Sequence, residues 1–286
     1  MKDTLFSSNL SFNSKGILYD FTKPIVMGIL NATPDSFYAG SRVHTIDSAV
    51  NKGLTMLSEG ATILDIGGYS SRPGASDISS AEEIQRVIPL IEAIVEALPG
   101  ALISIDTFRS TVAAAAIKAG ASIVNDISGG QIDPAIFSVA AINQCPYILM
   151  HMRGTPQTMI HENQYNHLMR DLLHYFSTQV KQARAAGIKD IILDPGFGFS
   201  KHVSQNFELL SKLETLHLLE LPLLVGISRK SMIYKTLNIE ADESLNGTTV
   251  LNTIALERGA KILRVHDVKA AIEAIELVEQ MRNGLN

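Results

Sequence analysis

The chain has 286 residues, 46% of them hydrophobic, and no Pro/Ser/Gly-rich stretch divides it, so a single domain over residues 1–286 with one large core is expected. A net charge of -5 with no basic block argues against nucleic acid or an anionic membrane surface as a partner and leaves small molecules as the ligands to consider. The one cysteine, Cys145, lies in an apolar stretch, which excludes an intramolecular disulfide framework and suits a reducing, cytoplasmic compartment.

The N-terminal stretch "MKDTLFSSNLSFNSKG" is too polar for a signal peptide, and no window approaches the roughly eighteen consecutive apolar residues of a membrane helix. Residues 1–23 form an N-terminal extension in which "LSFNSKGILYDF" reads as a hairpin, with Leu18, Tyr19 and Phe21 expected to cover one end of the fold. Short apolar runs then recur at intervals that leave room for one helix between them: "PIVMGILN" (24–31), "TILDIGG" (62–68), "LISIDT" (102–107), "SIVNDI" (122–127), "YILMHM" (147–152), "IILDPG" (191–196), "PLLVGIS" (222–228) and "KILRVHD" (261–267). The segments between them have helical spacing. "AEEIQRVIPLIEAIVEAL" places Ile84, Val87, Ile88, Ile91, Ile94 and Val95 on one face, and "RSTVAAAAIKAG" is rich in alanine. "EGATILDIG", "AGASIVNDI", "AGIKDIILDPG" and "RGAKILRVHD" each set a helix-ending glycine just before a strand. Eight such α/β units over residues 24–275 match a TIM (β/α)8 barrel. An open doubly wound sheet is the competitor, but no strand is followed by a G-x-G-x-x-G turn opening a helix.

Barrel chemistry sits at the carboxyl ends of the strands, so the residues ending each run are the candidates. They are Asn31, the loop "GGYSSRPG", Asp106, Asn125 with Asp126, His151, Asp194, Ser228 to Lys230, and Arg264 with His266. Each acid or serine there also has a plainer reading as the cap of the next helix. Capping does not account for Arg72, Lys230, Arg264 and His266, which the positive end of a helix dipole repels and which call for an anion. Arg264 and His266 are two apart on one strand and so face the same side, an arrangement suited to phosphate. Asp106, Asp194 and Asn125 are acceptors that a heterocycle edge rich in N–H groups would satisfy. Transfer at the bond between a heterocycle and a phosphorylated group is the chemistry this pattern suggests.

The motifs "NATPDSF", "GGYSSRPGA", "SIDTFRS", "VNDISGG", "MHMRGTPQTM", "DPGFGFSK", "GISRKS" and "LRVHDVK" resemble, in order and spacing, the dihydropteroate synthase family over residues 24–275. The resemblance implies a TIM barrel, a sulfonamide target, that condenses 6-hydroxymethyl-7,8-dihydropterin pyrophosphate with 4-aminobenzoate, releasing pyrophosphate and 7,8-dihydropteroate in folate synthesis. It implies a pterin pocket of Asp106, Asn125, Asp194 and Lys230. It also implies a pyrophosphate site of Asn31, Arg72, Arg264 and His266, with Asn31 a ligand to the cofactor Mg2+. The aminobenzoate side would be Ser71, Arg72, Pro73, Phe199 and Ser228, its ring held between Phe199, Pro73 and the Lys230 stem. Catalysis would rest on Lys230, Arg264, His266 and Asp106, by a dissociative route with no protein nucleophile. Ser228 has no base beside it in the sequence. The loops "NATPDSFYAG" and "GGYSSRPGA" would close only over bound substrates, and the family's habit implies a homodimer.

Three positions depart from the family pattern: Tyr69 stands where Glu is common, Ser71 where Thr is common, and Ala39 where the first loop usually has Asp. Two other readings fit a pterin-binding barrel, a methyltetrahydrofolate:corrinoid methyltransferase and a noncatalytic pterin-binding paralogue. The first needs no pyrophosphate site, and the second should have lost phosphate-site residues that are retained here. A metallohydrolase built on the eight histidines is disfavoured, because there is no H-x-H or H-E-x-x-H and His161, His167 and His174 lie on a polar helical stretch. His151 is read as structural.

Overall fold

In the computed structural model, which describes residues 10–32, 42–70 and 77–284, the chain opens with an antiparallel hairpin of β1 (Ser11–Ser14) and β2 (Ile17–Asp20). Eight parallel strands follow: β3 (Ile25–Asn31), β4 (Ile63–Gly67), β5 (Leu102–Asp106), β6 (Ile123–Asp126), β7 (Tyr147–Met150), β8 (Ile191–Asp194), β9 (Leu224–Val225) and β10 (Ile262–Val265). Around them lie α1 (Arg42–Ser58), α2 (Ser80–Ala97), α3 (Ser110–Ala119), α4 (Ala135–Ile142), α5 (Leu168–Ala185), α6 (Val203–Ser211), α7 (Ser231–Leu237), α8 (Leu245–Glu257) and α9 (Val268–Asn283). The strand order is β8-β7-β6-β5-β4-β3-β10-β9, and a parallel bridge between Leu193 and Leu223 joins the two edges into a barrel. Traced once round through paired residues from Met27, the register slips forward by two on β5, β6, β8 and β10, the stagger of eight that a (β/α)8 barrel requires.

The two-residue period of each strand sorts the barrel into levels. Met27, Ile63, Leu102, Ile123, Ile148, Ile192, Leu224 and Ile262 form one apolar plug with Phe12 and Phe21 of the N-terminal segment. The residues between them, such as Leu64, Ile103, Val124 and Leu193, face outward into the core shared with the helices. One inward step further along the strands, the side chains include Asp65, Ser104, Asn125, Asp194 and Arg264, so an apolar plug carries a polar floor.

Two expectations change in detail. Leu18 does not help cover the barrel: it pairs with Asn13 on the outer face of the hairpin and is 67% exposed, while Phe12, stacked on Tyr19 at 5.0 Å, faces in with Phe21. On α2, Val95 turns outward and the buried face runs through Glu83, Val87, Leu90, Ile91 and Ile94. The helix is rotated so that Glu83, fully buried, meets the Arg109 guanidinium at 2.6 Å.

Candidate active site

The polar floor is organised around one guanidinium. Arg264, on β10, donates from Nε to Asp65 Oδ2 and from Nη2 to Asp106 Oδ2, both at 2.6 Å. Asp65 also accepts from Asn125 Nδ2 at 3.2 and 3.3 Å. Because the β5 and β6 registers set Asp106 beside Asn125, and Gly67 beside Asp106 on the other side, these groups converge although 199 residues separate Asp65 from Arg264. Burial raises Asp106 above the usual carboxylate range, the charge of Arg264 opposes this, and the neighbouring charge of Asp65 adds to it. Asp194 is buried and raised for the same first reason, and its Oδ1 accepts from the Gly196 N–H at 2.8 Å. None of these acids caps a helix. Asp126, by contrast, points out of the barrel and accepts from Ser128 N, Ser128 Oγ, Gly130 N and the Tyr147 hydroxyl, which makes it a loop anchor.

Above the floor, Lys230 sits at the start of α7, where its ammonium donates to the Phe197 carbonyl and lies 4.6 Å from the centre of the Phe199 ring. Burial lowers it to about 8, against the pull of the Asp194 charge. Arg229, between Ser228 and Lys230, takes a left-handed φ of 55° that non-glycine residues avoid. It is held there by a two-point pair with Asp267, at 2.6 and 3.0 Å, and by its own N–H on Thr248 Oγ1. This turn ends β9 after two residues, short of the expected run to Ser228, and places Ser228 Oγ 3.0 Å from His266 Nδ1. The serine, which has no base near it in the sequence, therefore has one in the fold. Ser228 Oγ also accepts from the His266 backbone N–H at 3.2 Å, so the serine and the imidazole are held together at two points. Burial, reinforced by Arg264, lowers His266 to about 4 and keeps it neutral.

The loop after β8 depends on a residue that the sequence reading passed over. Lys201, 9% exposed, donates to the carbonyls of Gly196 and Phe199 at 2.9 and 3.0 Å and to His151 Nδ1 at 3.1 Å. His151 is thereby confined to a structural contact, and burial holds it well below its ordinary value. Asn31 stands exposed at the end of β3. Among the described residues no group of three or more His, Cys, Asp or Glu could hold a metal ion. One amide oxygen fits only a cation that keeps most of its ligands as water and phosphate, as Mg2+ does. Ala39, Ser71, Arg72 and Pro73, with the closing of both loops, lie outside the described residues.

The family model for pterin binding enzymes matches residues 27–266. The sequence is 44% identical to the dihydropteroate synthase of Escherichia coli over 93% of this chain and 94% of that one. The chain belongs to the dihydropteroate synthase family. Synechocystis dihydropteroate synthase is 46% identical over 92% of each chain. Among solved structures, the Yersinia pestis dihydropteroate synthase in complex with a sulfonamide drug superposes with a TM-score of 0.90 at 42% identity, covering 96% of this chain and 100% of that one. The Xanthomonas albilineans dihydropteroate synthase with 4-aminobenzoic acid does so at 0.89 and 36%, covering 96% and 99%.

Against the usual dihydropteroate synthase pattern, Tyr69 has a place of its own. Its hydroxyl accepts from Gln157 Nε2, its ring meets Phe108 edge-on at 5.1 Å, and the Arg109 guanidinium lies 5.2 Å from its centre. The aromatic residue thus ties together the loops after β4, β5 and β7, which a carboxylate could not do through ring packing.

Proposed function

We propose that the mouth of this barrel carries out the dihydropteroate synthase reaction with a specific division of labour. Asp106, Asn125 and Asp194 accept from the N–H edge of the dihydropterin, and Lys230 donates to the same ring. Arg264 and His266 Nε2–H, with Arg72, receive the charge that grows on pyrophosphate as the C–O bond at the pterin methylene breaks and its electron pair leaves. The aminobenzoate nitrogen lone pair forms the new C–N bond and then loses its proton. Ser71, Arg72, Pro73, Phe199 and Ser228 hold the aminobenzoate. Asn31 would hold Mg2+, which when bound supplies further positive charge to the pyrophosphate oxygens. A reducing, cytoplasmic setting belongs to the same proposal, supported by the buried free thiol of Cys145.

The observation that carries this reading is the convergence of three acceptors, one guanidinium and one half-buried ammonium at the carboxyl end of the barrel strands, beside the Ser228–His266 pair. A coupled assay with dihydropterin pyrophosphate, 4-aminobenzoate and Mg2+ tests it, with equimolar pyrophosphate and dihydropteroate expected. A folded protein that releases no pyrophosphate would refute the reaction and return the methyltransferase or noncatalytic reading. Loss of activity in none of Asp106→Ala, Asn125→Ala and Arg264→Ala would refute the site.

A further inference from the structure

Asp65 lies beneath this chamber, and none of the roles above uses it. Its side chain is fully buried on β4, in the middle of an apolar strand, yet it carries a carboxylate into the barrel interior. At the same level Ile29 and Met150 show that apolar side chains fit inside this ring of strands. A buried ion pair is weak evidence of a stabilising purpose, because apolar residues of similar volume usually serve stability as well or better. What Asp65 does geometrically is more specific. It takes the Nε of Arg264 at 2.6 Å and the Nδ2 of Asn125 at 3.2 Å. Holding Nε fixes the plane of the guanidinium, whose five N–H groups are only partly used by Asp65 and Asp106, leaving others for a ligand. Holding Nδ2 fixes the polarity of Asn125, since the flipped amide would set its oxygen against two carboxylate oxygens. Asn125 must then present its oxygen, an acceptor, away from Asp65.

We infer that Asp65 is a positioning residue that aims the Arg264 guanidinium and the Asn125 amide together, one toward the leaving pyrophosphate and the other toward the N–H edge of the pterin. The inference rests on the site reading proposed above. Asp65 touches no substrate and acts through its two partners, so its effect must vanish where they are absent.

The test is Asp65→Asn, which keeps the shape and removes the charge. We expect kcat/KM for dihydropterin pyrophosphate to fall about 100-fold, the usual scale of a misplaced site group, with the KM for 4-aminobenzoate changed less than about threefold. Binding of 6-hydroxymethyl-7,8-dihydropterin, followed by calorimetry, should weaken at least about tenfold through Asn125 alone. A double-mutant cycle separates positioning from general support: in the Arg264→Ala background, Asp65→Asn should cost less than about threefold further in kcat. That double variant removes both members of the Asp65–Arg264 pair and leaves without its guanidinium only Asp106, whose side chain is partly exposed, so it remains informative if the single variant fails to fold. A single variant within threefold of the parent in kcat/KM, or a further tenfold loss of kcat in the Arg264→Ala background, where the Asn125 route still acts on pterin binding, would overturn the inference. If Arg264→Ala and Asn125→Ala are impaired while Asp65→Asn is not, positioning alone fails; if all three are unimpaired, the site reading falls with it.

Discussion

Lys230 and His266 are both basic residues at the mouth, and the fold gives them different charges. Lys230 is half-buried near Asp194 and lowered by desolvation to about 8, so it is an ammonium at neutral pH and loses its proton just above it. Asp106 is raised above the ordinary carboxylate range and must be ionised to accept from a ring N–H. The expected kcat/KM profile is therefore a bell, falling on the acid side as Asp106 takes up a proton at a higher pH than a free carboxylate would, and on the alkaline side near pH 8 as Lys230 releases one. A flat profile from pH 5 to 9 would contradict both assignments. Lys230→Met should cost at least about 2 kcal/mol in kcat/KM, whereas Lys181→Ala, exposed on α5, should cost nothing measurable. His266 is held neutral by burial, and the role proposed for its Nε2–H requires Nδ1 to accept from the Ser228 hydroxyl. Nitrogen-15 NMR of the free protein should find its Nε2 protonated and unchanged from pH 5 to 8; a midpoint near the ordinary histidine value would restore an imidazolium to the site.

At the scale of the element, the loop after β8 is shaped by contacts that no side chain larger than hydrogen could allow. Gly196 has φ +69°, and a Cβ there would lie 2.1 Å from the His151 carbonyl oxygen. Its backbone N–H meets Asp194 and its carbonyl meets the Lys201 ammonium, so one residue links Asp194, the acceptor proposed for the pterin, to the strap that sets Phe199. Gly196→Ala should destabilise the protein by at least about 2 kcal/mol, counting the left-handed backbone and the overlap, read from the denaturation midpoint at unchanged m-value. In the turn after β9 the left-handed position is not a glycine but Arg229, held in that conformation by Asp267.

For the molecule as a whole, one face remains to be covered. Leu245, Val250 and Ile254 on α8, and Leu277 and Met281 on α9, are 39–72% exposed, and a groove of about 590 Å3 runs between the two helices. The homodimer implied by the family resemblance would cover this face with its own copy, which is the occupant we propose. Sedimentation at micromolar concentration should give twice the monomer mass, and Leu277→Glu, which would set one carboxylate on each copy against the apolar face, should give the monomer. A monomeric parent at tens of micromolar would refute the proposal.

Much of this was legible along the chain, and the part that was not has a common cause. The eight strand runs, the helix-ending glycines and the strand-terminal residues Asn31, Asp106, Asn125, Asp194, Lys230, Arg264 and His266 could be read in order, because burial on a period of two and punctuation by glycine are local properties. Lys201 was overlooked inside the motif "DPGFGFSK", since nothing local says that its ammonium turns back onto two carbonyls. Asp65 is visible as a lone acid between Leu64 and Ile66, two residues past an inward Ile63, and the same offset marks Asn125, Asp194 and Arg264; unlike the residues that end each run, it lies in the middle of its strand. The sequence by itself determined which residues face the barrel interior, because strand geometry alternates without regard to the rest of the molecule. Only the tertiary structure decided how they are paired. A stagger of eight residues around a closed sheet brings Arg264 between Asp65 and Asp106 and Ser228 beside His266, and a register between strands far apart in the chain leaves no mark on any one of them.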